Sequence, residues 1–183
     1  MLKERAVIGL LREKEDEAMP IRIRRTGHLV LRVRDLERSK RFFTEVLGLP
    51  QVGDNGKGML FFSTDVKDNH HMLAIREAKE GAAMPDPEQV GMEHVAYELG
   101  SFAELQEAWR IFKEHNVKIR HVVFHGITKS IYFYDPDGNM LEVYVNVPPE
   151  VYRKTVPNPY GLYGDITDEL EGKTPQRPGT VTP

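Results

Sequence analysis

The sequence contains no cysteine. Disulfides, thiolate zinc sites and cysteine nucleophiles are thereby excluded, and any bound metal must be held by His, Asp, Glu or Tyr. Long apolar runs are missing too. The longest near the N-terminus, Ala6 to Leu11, is followed at once by Arg12-Glu13-Lys14-Glu15-Asp16-Glu17. Such a run is too short and too charged for a signal sequence or a membrane span, so a cytoplasmic protein with no membrane partner is expected. Charge of one sign is not gathered anywhere. The net charge is -3 over 183 residues, and basic residues lie scattered in pairs such as Arg24-Arg25, which argues against nucleic acid as a partner.

What is present is 40% hydrophobic residues, enough for a packed core. Residues 1 to 25 read as an N-terminal arm, with a short helix carrying Ala6, Val7, Leu10 and Leu11 on one side. The stretch 148–183 holds seven of the twelve prolines and reads as an extended C-terminal tail. Tyr152, Tyr160, Leu162 and Tyr163 suggest that part of this tail packs on the body or on a neighbouring subunit.

The region between, 26–147, carries an internal repeat. A first module, about 26–80, opens with a strand at 27–34, followed by a helix from Leu36 to Leu47 that Asp35 caps and Gly48 and Pro50 stop. A second, about 90–147, opens with a strand at 93–98. There Ser101-Phe-Ala-Glu104 is a capping box for a helix running to about His115, with Leu105, Ala108, Trp109 and Phe112 on its apolar face. Shorter strand-like runs follow each helix, at 58–63 and 71–76 in the first module and at 119–124, 130–134 and 140–145 in the second. Met72-Leu-Ala-Ile75 aligns with Met140-Leu-Glu-Val143, and His28 with His94. The expected architecture is therefore α+β: two tandem βαβββ modules forming one open barrel-like sheet around a metal site.

Repeat symmetry makes His28, His94, Ala74 and Glu142 the four equivalent cavity positions. Two imidazoles and a carboxylate form a facial triad, a donor set that leaves coordination positions open and selects non-haem Fe(II). A carboxylate between Leu141 and Val143 on an inward strand face is rarely buried without a partner or metal. Ala74 stands where a fourth ligand would otherwise close the site. Of the pair His70-His71, strict alternation back from Ala74 favours His70 as the one reaching the cavity. Tyr132 lies on the strand preceding that of Glu142, joined to it by the turn Asp135-Pro-Asp-Gly138; it is either core packing or a site residue. His125 lies in a loop, and a loop histidine is usually exposed unless a site recruits it. His115 and His121 read as structural.

These residues resemble the vicinal oxygen chelate superfamily and, within it, the type I extradiol ring-cleavage dioxygenases, over about 26–147. The most specific stretch is His125-Gly-Ile-Thr-Lys-Ser-Ile-Tyr132-Phe-Tyr-Asp-Pro-Asp-Gly-Asn-Met-Leu-Glu142, which looks like the signature of catechol 2,3-dioxygenases. The resemblance implies His28, His94 and Glu142 as ligands of Fe(II), with Mn(II) as the other metal of this type. It implies His71 as the acid/base histidine, against the parity count. Tyr132 would hydrogen-bond a substrate oxygen, and His125 would line the site. The chain has only one paired module, as in the small single-domain branch. The implied partners are a catechol and O2, and the arm, the tail and the strand edges suggest a homo-oligomer. Two other readings stand beside this one. A glyoxalase-like or epimerase-like isomerase would need a fourth ligand, for which Glu77 is the nearest candidate. A bleomycin-resistance type of binding protein would keep the cavity without the metal.

Overall fold

The computed structural model describes residues 21, 23–86, 88–155, 158, 160–161 and 164–173. The helix expected over 1–19 lies outside the described residues, as do Leu162 and Tyr163 of the tail.

Two modules of like topology follow one another. The first runs β1 (Leu29–Val33), α1 (Leu36–Arg41), β2 (Gln51–Asp54), β3 (Met59–Phe62) and β4 (Leu73–Glu77). The second runs β5 (Val95–Glu98), α2 (Phe102–Glu114), β6 (Ile119–Phe124), β7 (Thr128–Tyr134) and β8 (Met140–Asn146). Each module forms its own four-stranded mixed sheet, ordered β1-β4-β3-β2 and β5-β8-β7-β6, in which the first and last strands of the module run parallel. The α+β class and the paired modules are as the sequence leads one to expect. The sheets are two separate ladders, with no closed barrel; β1 and β5 are open edges among the described strands.

Local chemistry explains most boundaries. The Asp35 side chain accepts from the Arg38 amide at the start of α1, and Ser101 accepts from the Glu104 amide at the start of α2. Glu104 reaches back one residue beyond the cap, accepting from the amide of Gly100 at 2.7 Å. The first helix does not stay regular to Leu47. From Phe42 to Val46 it widens into a turn in which the Leu47 amide bonds to the Phe42 carbonyl. The Thr44 hydroxyl donates to the carbonyl of Lys40 at 2.9 Å, a back-bond that loosens a helix. The widened turn lets the consecutive rings of Phe42 and Phe43 both bury, packed edge to face at 5.4 Å. Gly48, at φ 66°, then ends the helix.

One strand was not apparent from the sequence. In Gln51–Asp54, Gly53 sits at a bulge opposite Phe61, whose ring would stand 3.5 Å from a Cβ there. The tail is not simply extended either. Pro149–Thr155 is a short helix, α3, and Thr167–Leu170 another, α4, with Ile166 and Leu170 buried in the core.

The modules share that core. Phe42 meets Phe133 with ring centroids 6.5 Å apart, and Phe133 in turn packs at a tilt against Phe112 of α2 at 4.4 Å. A polar clasp sits beside it: buried Asp137, from the β7–β8 turn, accepts from the Arg34 amide at 3.1 Å, from the Arg38 guanidinium at 2.5 Å and from the Ser39 hydroxyl at 3.3 Å. The second module thus holds the start of the first module's helix.

Candidate active site

One row of residues crosses the second sheet. Ala96 of β5 pairs with Glu142 of β8, Glu142 with Tyr132 of β7, and Tyr132 with His121 of β6. Paired residues point to the same face, so these four share one face, opposite to Leu141, Val143, Ile131 and Phe133 in the core. His94 precedes β5 by one residue and Ala96 by two, and its Nε2 lies 3.1 Å from Glu142 Oε2. Its other ring nitrogen, Nδ1, is buried without a hydrogen-bond partner. Glu142 is only 6% exposed.

Tyr132, 8% exposed, is the hub of this face. Its hydroxyl lies 3.1 Å from Nε2 of His125, the ring of His121 stacks on its own at 4.5 Å, and His94 meets it edge-on at 5.2 Å. Burial, reinforced by the adjacent Glu142 carboxylate, pushes the Tyr132 hydroxyl well above its ordinary pKa. It therefore keeps its proton and remains a donor. His121 is held below the ordinary histidine value, by burial first and then by the neighbouring Arg120 guanidinium and His125 ring. An open cleft of about 410 Å³ lies over this face, with Tyr132, Glu142, His125 and Ala96 at one end. Thr128 and Asn146, paired across β7 and β8, border the other end with Ile127, and Tyr144 and Tyr160 also line the cleft.

The first module carries a second cluster. His28, just before β1, lies beside His71, with ring centroids 4.4 Å apart; His71 also meets Phe61 at 5.1 Å and His70 at 4.4 Å. The two segments that carry them are tied together. The Leu29 amide donates to Met72 O, the Asn69 side chain to Gly27 O at 3.0 Å, and the Arg25 guanidinium to Asp68 O at 2.8 Å. His71 is thus the member of the pair that touches His28, and His70 contacts it through Nδ1. Burial, then the neighbouring His28 and His70 rings, hold His71 below its ordinary pKa, so it is neutral at pH 7 and can accept a proton.

The three expected ligands are thus brought together only in part. His94 and Glu142 form a contacting pair, whereas His28 belongs to the other cluster, and among the described residues no three His, Asp or Glu side chains gather closely enough to hold one ion. An imidazole nitrogen and a buried carboxylate oxygen facing each other at 3.1 Å nevertheless suit a divalent cation, and both are donors for Fe(II) or Mn(II). Ala74 is fully buried, so the position equivalent to Glu142 is not open space. Glu77 pairs with Val33 and falls on the opposite face of its strand from Ala74, which removes the candidate fourth ligand. His115 caps the exposed end of α2, as its structural reading implies. His121, read as structural, stacks on Tyr132 and does not line the cleft. The signal for that contact was the β6–β7 pairing, which places it directly opposite that tyrosine.

With the geometry in place, likeness to known proteins can be assessed. The family described as the Glyoxalase/Bleomycin resistance protein/Dioxygenase superfamily matches residues 25–143, and the chain belongs to it. The chain is 32% identical over 124 residues to biphenyl-2,3-diol 1,2-dioxygenase 3 of Rhodococcus globerulus, covering 67% of this chain and 63% of that protein. It is 30% identical over 146 residues to catechol-2,3-dioxygenase of Bacillus subtilis (strain 168), covering 80% of this chain and 50% of that protein. The chain therefore spans less than two thirds of the length of these curated relatives. A glyoxalase/dioxygenase crystal structure from Nostoc punctiforme superposes with TM-score 0.60 at 25% identity, over 73% of this chain and 99% of that one. No helix among the described residues is long and apolar enough to cross a membrane.

Proposed function

We propose that this protein is an extradiol dioxygenase: it binds a catechol-type diol at an Fe(II) centre and uses O2 to open the ring beside the two hydroxyls. The carbon–carbon bond adjacent to the diol breaks and both oxygen atoms of O2 enter the product, a semialdehyde of the muconic type. The observation that carries this reading is the Ala96–Glu142–Tyr132–His121 row. It puts a buried carboxylate, paired with His94, and a protonated tyrosine held by His125 side by side on one face, with the carboxylate, the tyrosine and His125 lining one cleft. The likeness to two aromatic-diol dioxygenases supports it.

His94 and Glu142, joined by His28 of the other module, would hold the metal, with Mn(II) as the alternative ion. Bound there, it would supply the redox chemistry that couples O2 to the diol and a template for both substrate oxygens. The chain's own groups handle protons and orientation. Neutral His71 accepts a proton from a diol hydroxyl and returns it as the product forms. Tyr132 donates to a substrate oxygen, and His125 fixes the direction of that hydroxyl.

Bringing His28 and His71 to face the His94–Glu142 pair falls, in this proposal, to a homo-oligomer. Edge strands β1 and β5 each have one side unpaired among the described strands, and the segments leading into them expose Ile21, Ile23 and Met92. Exposed apolar groups beside open edges mark contact surfaces. A twofold assembly would set the first module of one copy against the second module of the next.

The test is to load the protein with Fe(II) without oxygen, add catechol or its phenyl-substituted form, and admit air. A yellow ring-fission product with matching oxygen uptake is expected. Failure of every diol to draw down oxygen in an iron-loaded protein would end this reading.

A further inference from the structure

A second cavity, of about 620 Å³, lies where the two modules meet and shares no residue with the cleft. The widened turn after α1, the end of α2 and the β7–β8 turn enclose it. Met84, from the segment between the modules, lies on the last of these: a Cβ at Gly138 would stand 3.3 Å from the Met84 methyl. Part of the wall is apolar, made by Phe42, Val46, Val117, Pro136 and Met84. Met84 is 47% exposed, a soft side chain that can follow the shape of an occupant.

The rest of the wall is charged: Arg38, Arg41 and Lys118 against the carboxylates of Glu45 and Asp135. Two of these groups are already answered. Arg38 gives a guanidinium nitrogen to Asp137 at 2.5 Å. Asp135 is 4% exposed, its oxygens accept from the amides of Asp137 and Asn139 and from the Asn139 side chain, and burial favours its neutral form. The negative end of α2 is closed as well, since the carbonyls of Ile111, Phe112 and Lys113 accept from the amides of His115, Val117 and Asn116. What remains is Arg41 and Lys118 against Glu45, a surplus of one positive charge. Lys118 stands 4.8 Å over the Tyr134 ring, and Arg41 has no ion-pair partner among the described residues. A guanidinium and an ammonium beside an apolar wall suit an anion of single charge with an apolar body.

We propose that this cavity is a binding site for a small aryl monocarboxylate, its ring against Met84, Pro136 and Val46 and its carboxylate between Arg41 and Lys118. A planar carboxylate matches the guanidinium fork, and the apolar wall selects a ring over a bare inorganic anion. Such a ligand touches the first module's helix and the second module's α2–β6 connection at once, so its binding adds a contact across the junction that Asp137 clasps. The site needs neither metal nor diol and stands apart from the ring-cleavage reading.

Benzoate is the probe, with benzamide as its neutral isostere and inorganic phosphate as an anion without a ring. Calorimetric titration of the full chain should show benzoate binding about tenfold more tightly than either. Replacing both exposed cations, Arg41→Gln with Lys118→Gln, should weaken benzoate about tenfold while leaving the thermal midpoint of the unliganded protein unchanged. Glu45→Gln, which removes the competing carboxylate, should tighten it. Benzoate should also raise the thermal midpoint of the wild-type chain, as a ligand of the folded state does. Glu142→Gln, in the cleft, should leave benzoate affinity as it is. Absence of benzoate binding, equal binding of benzamide or phosphate, or an affinity unmoved by the double substitution would overturn the proposal. So would loss of binding in Glu142→Gln, which would put the benzoate in the cleft.

Discussion

The same topological row reads differently in the two modules. In the first it is Val30–Ala74–Phe61–Gly53, and in the second Ala96–Glu142–Tyr132–His121. One row is apolar, with only Ala74 fully buried and Val30 exposed; the other carries titratable groups, and its Glu142 and Tyr132 line a cleft. The first module keeps its histidines off the strands, on the segments that lead into β1 and β4, where His28, His70 and His71 cluster. A duplicated scaffold has thus divided its labour. In the proposed site the second module would supply a carboxylate and a hydroxyl in fixed strand register with an imidazole just before β5, and the first would supply a base and a further imidazole. Strand pairing fixes side chains better than loop attachment does, so the division sets which residues are preorganised and which must be brought in.

The largest expected effect comes from erasing the difference in the polar row. Glu142→Gln should lose Fe(II) uptake and bring turnover to background; metal analysis beside oxygen uptake checks both. His71→Ala should keep its iron and lose about 10²–10⁴ in kcat, as removal of a general base does. Loss of iron in that variant would move His71 from proton transfer to ligation. Copying the second row into the first, Ala74→Glu, puts a carboxylate at a fully buried site with no arranged partner. The cost should be about 3 kcal/mol or more, read as a lower denaturant midpoint.

A smaller effect reports on whether the two halves are completed between copies. Mixing His28→Ala with Glu142→Gln protein, each inactive alone, should restore about a quarter of wild-type iron uptake if sites form between subunits, since half the dimers then carry one intact site. A site formed within one chain would restore none. The smallest concerns pH. His71 has its folded-state pKa depressed, so the fold favours the neutral form. Its share of stability is present above the ordinary histidine value and lost as pH falls through it and then the folded-state value. Activity should likewise decline on the acid side, with an apparent pKa below that ordinary value, and His71→Ala should flatten that limb.

Much of this could be read from the sequence because a repeat leaves two copies of each signal. The alignment of His28 with His94 and of Ala74 with Glu142 predicted the paired modules, and the Asp35 and Ser101 caps placed both helices. The β2 strand escaped because Gly53 and the Asn-Gly that follows read as loop, while a bulge against Phe61 makes the pairing possible. The widened turn after α1 escaped because helical periodicity cannot tell one buried phenylalanine from two adjacent ones. Strict alternation favoured His70, yet the contact with His28 belongs to His71, because both residues precede the strand, where alternation no longer governs. His121 needed the cross-strand register, a long-range fact that no local pattern carries. Convergence of His28 on the His94–Glu142 pair depends on how modules face one another, which repeat symmetry suggests and local sequence does not determine.

The most direct test of ring cleavage follows the oxygen atoms. Iron-loaded protein given a phenyl-substituted catechol under ¹⁸O₂ should yield a ring-opened product carrying both labelled atoms, with the remaining water-exchangeable label accounted for by a short reaction time. A product that has the mass of the substrate, or none that carries the label, would contradict the account and point to isomerisation or to binding alone.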